Sequence, residues 1–159
     1  MTEYNTIPEE AVKEIEALFE HVPHKSAAGI DALKVVQKYN RWVSDEALKE
    51  AADLCEMTYH DLDSVATFYN IIYRQPVGRH VISICNSVSC WIMGYEDILK
   101  ALKDKLGIDL GETTGDNKFT LLPIQCLGTC DCAPALLIDQ DLHRDLTPDG
   151  LDKILEQYE

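Results

Sequence analysis

The sequence has no apolar run near the roughly 20 residues a membrane-spanning helix requires, so direct membrane insertion is not expected. Its first ten residues, MTEYNTIPEE, lack the basic and apolar blocks of a signal or transit peptide. Positive charge is also scarce: 14 Lys and Arg stand against 28 Asp and Glu, a formal net charge of -14. Nucleic acid, whose phosphates call for clustered cations, is thereby excluded as a partner. Such acidity favours solubility and basic partner surfaces without naming one. There is no Ser-His-Asp pattern and no nucleotide-binding glycine motif. Gly111-Glu112-Thr113-Thr114-Gly115 has no Lys after it and reads as a turn. Internal repeats and low-complexity tracts are absent as well.

What remains is a chain that can pack a core. An apolar fraction of 46% over 159 residues suits one ordinary domain or two small ones, soluble and cytosolic. Against that ordinary background six cysteines stand out: Cys55, Cys85, Cys90, Cys126, Cys130 and Cys132. Disulfides seldom persist in the cytosol, where grouped thiols signal metal or redox chemistry.

The first half reads as helices. Thr6 with Glu9 forms a capping box, Pro8 suits a first turn, and Val12, Ile15, Leu18 and Phe19 recur at helical spacing. Ile30, Leu33 and Val36 mark a second helix that ends near Tyr39-Asn40. Ser44 caps a third through Leu48, Ala51, Leu54 and Cys55, and Thr58 with Asp61 starts a fourth that runs to about Tyr73. Helices this short bury little alone, so a small bundle is expected over residues 1–77.

Composition changes at RQPVGRH, where Pro76 and Gly78 break the helical pattern. HVISIC at 80–85 is an apolar, β-branched run typical of a buried strand. A helix follows through Ile98, Leu99, Leu102 and Leu106, then strands FTLLPI at 119–124 and ALLID at 135–139. Thr147-Pro148 opens a last helix through Leu151, Ile154 and Leu155. Residues 78–159 thus form a second domain of order β-α-β-β-α, and the chain as a whole mixes a helical bundle with an α/β unit.

An ordinary βαβ crossover makes strands 80–85 and 119–124 parallel, with their carboxyl ends on one side of the sheet. Cys85 and Cys126 fall where those strands end, and the loops leaving them carry Cys90 and Cys130. Loops at such ends are where α/β sheets bind ligands, so four thiols can converge. Four thiolates suit zinc or an iron–sulfur centre. Structural zinc favours C-x2-C knuckles, whereas CNSVSC and CLGTC space their thiols more widely, in keeping with a two-iron cluster that needs two thiolates on each iron. Gly128 lets backbone approach the centre, and Ser87, Ser89, Thr129 and main-chain amides are candidate donors to its sulfurs. Such donors raise the reduction potential; Asp131 and the acidic chain lower it. The balance points to the low range, on the order of -400 mV.

The other candidates have plainer readings. Cys55 lies alone on an apolar helical face and reads as core. Cys132, two residues past Cys130, breaks the pairing with the first loop and stands as an alternative ligand only. His80 starts a buried strand and reads as structural rather than metal-binding.

The spacing C-x4-C followed by C-x3-C within CNSVSCWIMG and LLPIQCLGTCDCAP, with QPVGRHVI, VATFY at 65–69 and RWVSDEAL at 41–48, closely resembles a known family. It is the thioredoxin-like two-iron ferredoxin subunit of bacterial NADH:quinone oxidoreductase, respiratory complex I. The likeness spans nearly the whole chain, to its acidic-aromatic tail. It implies a helical bundle on a thioredoxin-like domain, with one [2Fe–2S] cluster held by Cys85, Cys90, Cys126 and Cys130. It further implies docking on a flavoprotein subunit that binds FMN and NADH, electron exchange with that flavin, and a cluster off the main electron route. The chain would then be one part of an oxidoreductase, in the peripheral arm on the cytoplasmic side of a membrane complex. Trp91 departs from relatives that carry His there, and Cys132 is an added thiol.

Similar subunits serve NAD-reducing hydrogenases and NAD-linked formate dehydrogenases, which leaves the parent complex open. From another class, the same four thiolates suit a structural zinc module acting as an assembly scaffold. A thiol–disulfide oxidoreductase ranks last, because neither loop has the C-x-x-C that this chemistry uses. The bundle either docks the flavoprotein or simply stabilises its small neighbour.

Overall fold

The computed structural model describes residues 6–158; residues 1–5 of the polar N-terminal stretch and Glu159 of the tail lie outside them. The chain divides between Pro76 and Val77 into two compact units.

The first unit contains α1 (Glu9–Leu18), α2 (Gly29–Asn40), α3 (Asp45–Leu54) and α4 (Tyr59–Phe68). Their apolar stripes meet in a core that includes Ile15, Leu33, Leu48 and Leu62, each fully buried. Burial of this kind stabilises by about 1.5–3 kcal/mol per large side chain. Ser44 caps α3 through Ala47 N–H at 3.1 Å. Thr58 caps α4 through Asp61 N–H at 3.2 Å, and its hydroxyl donates to the Asp61 carboxylate at 2.6 Å. Between α1 and α2, Glu14 accepts from Lys38 Nζ at 2.9 Å and from the Tyr39 hydroxyl at 3.0 Å. Those two bonds hold the Glu14 carboxyl below its ordinary range.

Two helix boundaries differ from expectation. Thr6 does not cap α1: Pro8, in extended conformation, holds the N-cap position without a side-chain bond, so Thr6 lies too far upstream. The Thr6 carbonyl instead accepts from Asn40 Nδ2 at 3.0 Å. Helix α4 stops at Phe68 and not near Tyr73, because the next segment bonds to α2. Gln37 donates through Nε2 to the Ile71 carbonyl at 2.8 Å and accepts Tyr73 N–H on Oε1 at 2.6 Å. Tyr73 C=O then receives Val43 N–H at 2.8 Å. These tertiary partners replace the intrahelical bonds that continuing α4 would have made.

The second unit is a four-stranded sheet of order β2-β1-β3-β4. Its strands are β1 (His80–Cys85), β2 (Phe119–Ile124), β3 (Leu136–Ile138) and β4 (Asp141–His143). β1 and β2 run parallel, with Cys85 opposite Ile124. β3 is antiparallel to β1, and β4 to β3. The helices are α5 (Val88–Ile92), α6 (Tyr95–Leu106) and α7 (Leu151–Leu155), with α6 in the β1–β2 crossover. Ile82, Ile98, Leu102, Leu121, Leu136 and Leu151 form the buried core between sheet and helices. Gly78 precedes β1 where a Cβ would come within 3.0 Å of Phe119 backbone, and its N–H donates to Thr120 Oγ1 at 2.6 Å.

The expected order β-α-β-β-α thus holds with two additions, α5 and β4. The segment before β2 also folds back along that strand's outer edge. Gly111 N–H donates to Leu121 C=O at 2.7 Å, Leu121 N–H to Glu112 C=O at 3.1 Å, and Thr114 N–H to Phe119 C=O at 2.8 Å. This is the turn expected of GETTG. At the amino end of β1, His80 Nδ1 lies 2.6 Å from Asp139 Oδ2, while Asp139 Oδ1 accepts Val81 N–H at 2.9 Å. His80 is therefore a structural residue tying β1 to the β3–β4 turn, as its strand-start position implies. Among the described residues no helix is long and apolar enough to cross a membrane.

Candidate metal centre

The parallel pairing brings both cysteine loops to one end of the sheet. Asn86 N–H donates to Ile124 C=O at 3.0 Å, so the two strands are still joined where the loops leave them. Cys85 is the last residue of β1, and its N–H donates to Ala135 C=O at 3.1 Å. The following residues turn directly into α5, whose one and a half turns carry Cys90 back toward Cys85. The two thiols share one buried cluster, at 2–3% exposure, with Ala133, Tyr95, Ile124 and Leu127. Burial first, then the neighbouring Cys85 thiol, pushes the Cys90 thiol up to about 11.

The second pair is different in kind. Cys126 and Cys130 are exposed, with sulfurs 3.3 Å apart. Gly128 bends the loop between them at φ +80°, a conformation an L side chain resists, and its N–H donates to Cys126 Sγ at 3.4 Å. That amide first, then the neighbouring Cys130 thiol, lowers the Cys126 thiol from its ordinary value, against an opposing effect of burial. The two loops leave adjoining strand ends: Asn86, next to Cys85, is bonded to Ile124, two residues before Cys126.

Cys132 closes the single 3-10 turn Cys130–Cys132. Its thiol faces carboxylate rather than sulfur, lying 3.6 Å from Asp131 Oδ2. Burial and the charges of Asp131 and Asp145 push that thiol up, which disfavours the thiolate a metal needs. Cys55 is fully buried in the core of the first unit and raised chiefly by that burial.

Among the described residues no three His, Cys, Asp or Glu side chains gather in a group able to hold a metal ion. The thiols come as two adjacent pairs, which is the donor set of a two-iron cluster: two thiolates on each iron, with sulfide between the irons. A lone zinc ion needs all four sulfurs about 2.3 Å from one point. The donor chemistry therefore fits a [2Fe–2S] centre.

Two contributors are not apparent from the amino-acid pattern. Helix α5 hides because its apolar residues Val88, Trp91 and Ile92 face outward, at 57–70% exposure, so the pattern of a buried stripe is inverted. Its one sequence signal is a serine, Ser87, ahead of a short helical interval. Tyr95, which packs against the buried thiol pair, carries no signal at all.

The profile of the thioredoxin-like [2Fe–2S] ferredoxin family matches residues 15–159. A subunit of the NADH-quinone oxidoreductase of Pseudomonas aeruginosa is 49% identical over 144 residues, covering 91% of this chain and 87% of that protein. The corresponding NADH-quinone oxidoreductase subunit of Escherichia coli K12 is 50% identical over the same shares of each chain. Among solved structures, an NAD+-reducing [NiFe]-hydrogenase in the H2-reduced state superimposes with a TM-score of 0.69 at 22% identity. That match covers 82% of this chain and only 22% of the hydrogenase chain, a likeness of fold.

Proposed function

Because the chain belongs to the thioredoxin-like [2Fe–2S] ferredoxin family, whose cofactor is one [2Fe–2S] cluster, we propose that it is the two-iron electron-transfer subunit of an NADH-quinone oxidoreductase. In this reading Cys85 and Cys90 hold one iron, and Cys126 and Cys130 the other. The observation that carries it is the arrival of two thiol pairs at adjoining ends of parallel strands.

A bound cluster supplies a one-electron couple at these sulfurs. The chain's residues do the rest. Burial of Cys85 and Cys90 keeps water from one side of the centre, and the exposed Cys126–Cys130 side faces outward, where a partner's cofactor can approach. Gly128 N–H holds negative charge on Cys126, easing its deprotonation and its binding to iron. The partner is a flavoprotein subunit that binds FMN and NADH and exchanges electrons with the cluster. The pair works in the peripheral arm on the cytoplasmic side of the membrane. Relatives near 50% identity favour this complex over a hydrogenase, whose likeness is at the level of fold.

Anaerobic purification followed by iron, sulfide and zinc analysis, with EPR after dithionite reduction, tests the reading. About two irons and two sulfides with a rhombic signal near g = 2 are expected. One zinc per chain and no reducible signal, in protein taken from its native complex, would leave a structural scaffold instead.

A further inference from the structure

The two thiol pairs differ in what can reach them. Cys85 and Cys90, packed with Ala133 and Leu127, are closed to a reagent in solution. Cys126 and Cys130 are exposed, and their sulfurs lie 3.3 Å apart. A disulfide bond is about 2.05 Å long, so an approach of only about 1.2 Å would join them. Gly128, at φ +80°, already folds the intervening loop so that its two ends meet. The other thiols are placed differently. Cys132 lies 3.6 Å from the Asp131 carboxylate, and with one residue between them a bridge to Cys130 would be strained. Cys55 is fully buried in the core of the first unit. Disulfide formation needs both access and a neighbouring sulfur, and Cys126 with Cys130 has the two together.

We propose that, before iron is loaded, Cys126 and Cys130 form a reversible disulfide with a low-molecular-weight disulfide such as glutathione disulfide as oxidant, closing the iron site while Cys85 and Cys90 stay as thiols. The bridge stands on the geometry alone; its effect on iron rests on the reading of Cys126 and Cys130 as ligands. One exposed thiolate attacks the S–S bond of the oxidant, a mixed disulfide forms, and one small thiolate leaves. The neighbouring thiolate attacks the protein sulfur of that mixed disulfide, the Cys126–Cys130 bond forms, and the second small thiolate leaves. The two protons given up by the cysteines end on the two released thiols, and two electrons pass from the cysteine pair to the oxidant. The chain is thereby a substrate of thiol–disulfide exchange and not a catalyst of it. Sulfurs bonded to each other offer iron no thiolate, so half of the donor set is withdrawn. Exposed disulfides are the labile kind, so small thiols restore the site.

The test uses the full chain, freed of metal by a chelator under reducing conditions, desalted anaerobically and incubated with glutathione disulfide. Mass spectrometry should show the loss of two hydrogen atoms per chain and no glutathione adduct. Peptide mapping after maleimide labelling in denaturant should place the bridge at Cys126 and Cys130, with Cys55, Cys85, Cys90 and Cys132 labelled. Transfer of a [2Fe–2S] cluster from a loaded scaffold protein, without free sulfide or thiol, should be at least roughly tenfold lower to the oxidised chain than to the reduced one. Dithiothreitol, added and then removed, should restore it. Cys132→Ser should bridge as wild type does, and Cys130→Ser should stop at a glutathione adduct on Cys126. A bridge involving Cys85, Cys90 or Cys132, adducts in place of a bridge, or equal transfer to oxidised and reduced chains overturns the proposal. A reduced wild-type chain that accepts no cluster would overturn the functional reading and the closing of an iron site with it, while mass and peptide map still decide the bridge.

Discussion

The sulfurs of Cys126 and Cys130 lie 3.3 Å apart across a loop that Gly128 bends, close enough to take one metal ion between them. Cys132, only two residues further on, bonds to Asp131 instead. Proximity in sequence therefore does not decide which thiols act together.

From this contrast Cys126→Ser and Cys130→Ser should each lose roughly half or more of the bound iron, whereas Cys132→Ser should keep it all. Iron and sulfide content and the visible absorption of anaerobically purified variants check this. A Cys132→Ser chain without iron would transfer the ligand role to Cys132.

The cap on α3 should be measurable in isolation. Ser44 is buried and accepts Ala47 N–H at 3.1 Å, so Ser44→Ala should cost about 1 kcal/mol. Urea unfolding followed by circular dichroism reads the change, and a variant as stable as wild type would deny the cap its role.

Leu102 lies fully buried where α6 packs on the sheet. Leu102→Ala leaves a void there, and a loss of about 2–5 kcal/mol is expected. The same unfolding measurement, made on the iron-loaded chain, tests it; a loss under 1 kcal/mol, set against that roughly 2–5 range, would mean the site collapses freely.

Tyr158 adds a pH dependence at the alkaline end. Burial first, then its hydrogen bond to Asp141 at 3.1 Å, pushes its hydroxyl up to about 12. An unfolded tyrosine ionises near pH 10. The folded state thus holds the proton more tightly, so this contribution to stability is complete below about pH 10 and declines as pH rises toward 12. The advantage of wild type over Tyr158→Phe should shrink across that window. Difference absorbance at 295 nm between the two proteins should show a midpoint near 12 in the folded state; a midpoint near 10 would contradict it.

Much of this architecture was legible because its signals are local. Ser44 and Thr58 mark their helices, the β-branched run at 80–85 marks β1, and the rule that crossovers join parallel strands brings the two cysteine loops together. The parts that escaped depend on distant partners. Nothing near Tyr69 announces the end of α4, which is imposed by Gln37. β4 has three residues with little burial, so it lacks the alternation that betrays a strand, and it exists because β3 offers it an edge. The asymmetry between a buried and an exposed thiol pair is likewise invisible in CNSVSC and CLGTC, since burial is conferred by α5 and Ala133.

The segment folded along the outer edge of β2 protects the chain from self-association. A sheet edge with unpaired amides and carbonyls is a template for a strand from another molecule. Here Phe119 and Leu121 have their outward groups taken by residues 111–114, and Pro123, the next residue facing that way, has no N–H to offer. At the other edge, β4 is three residues long and begins with a charged aspartate. Neither edge gives a growing fibril a foothold, and a chain awaiting its metal and its partner can remain dispersed.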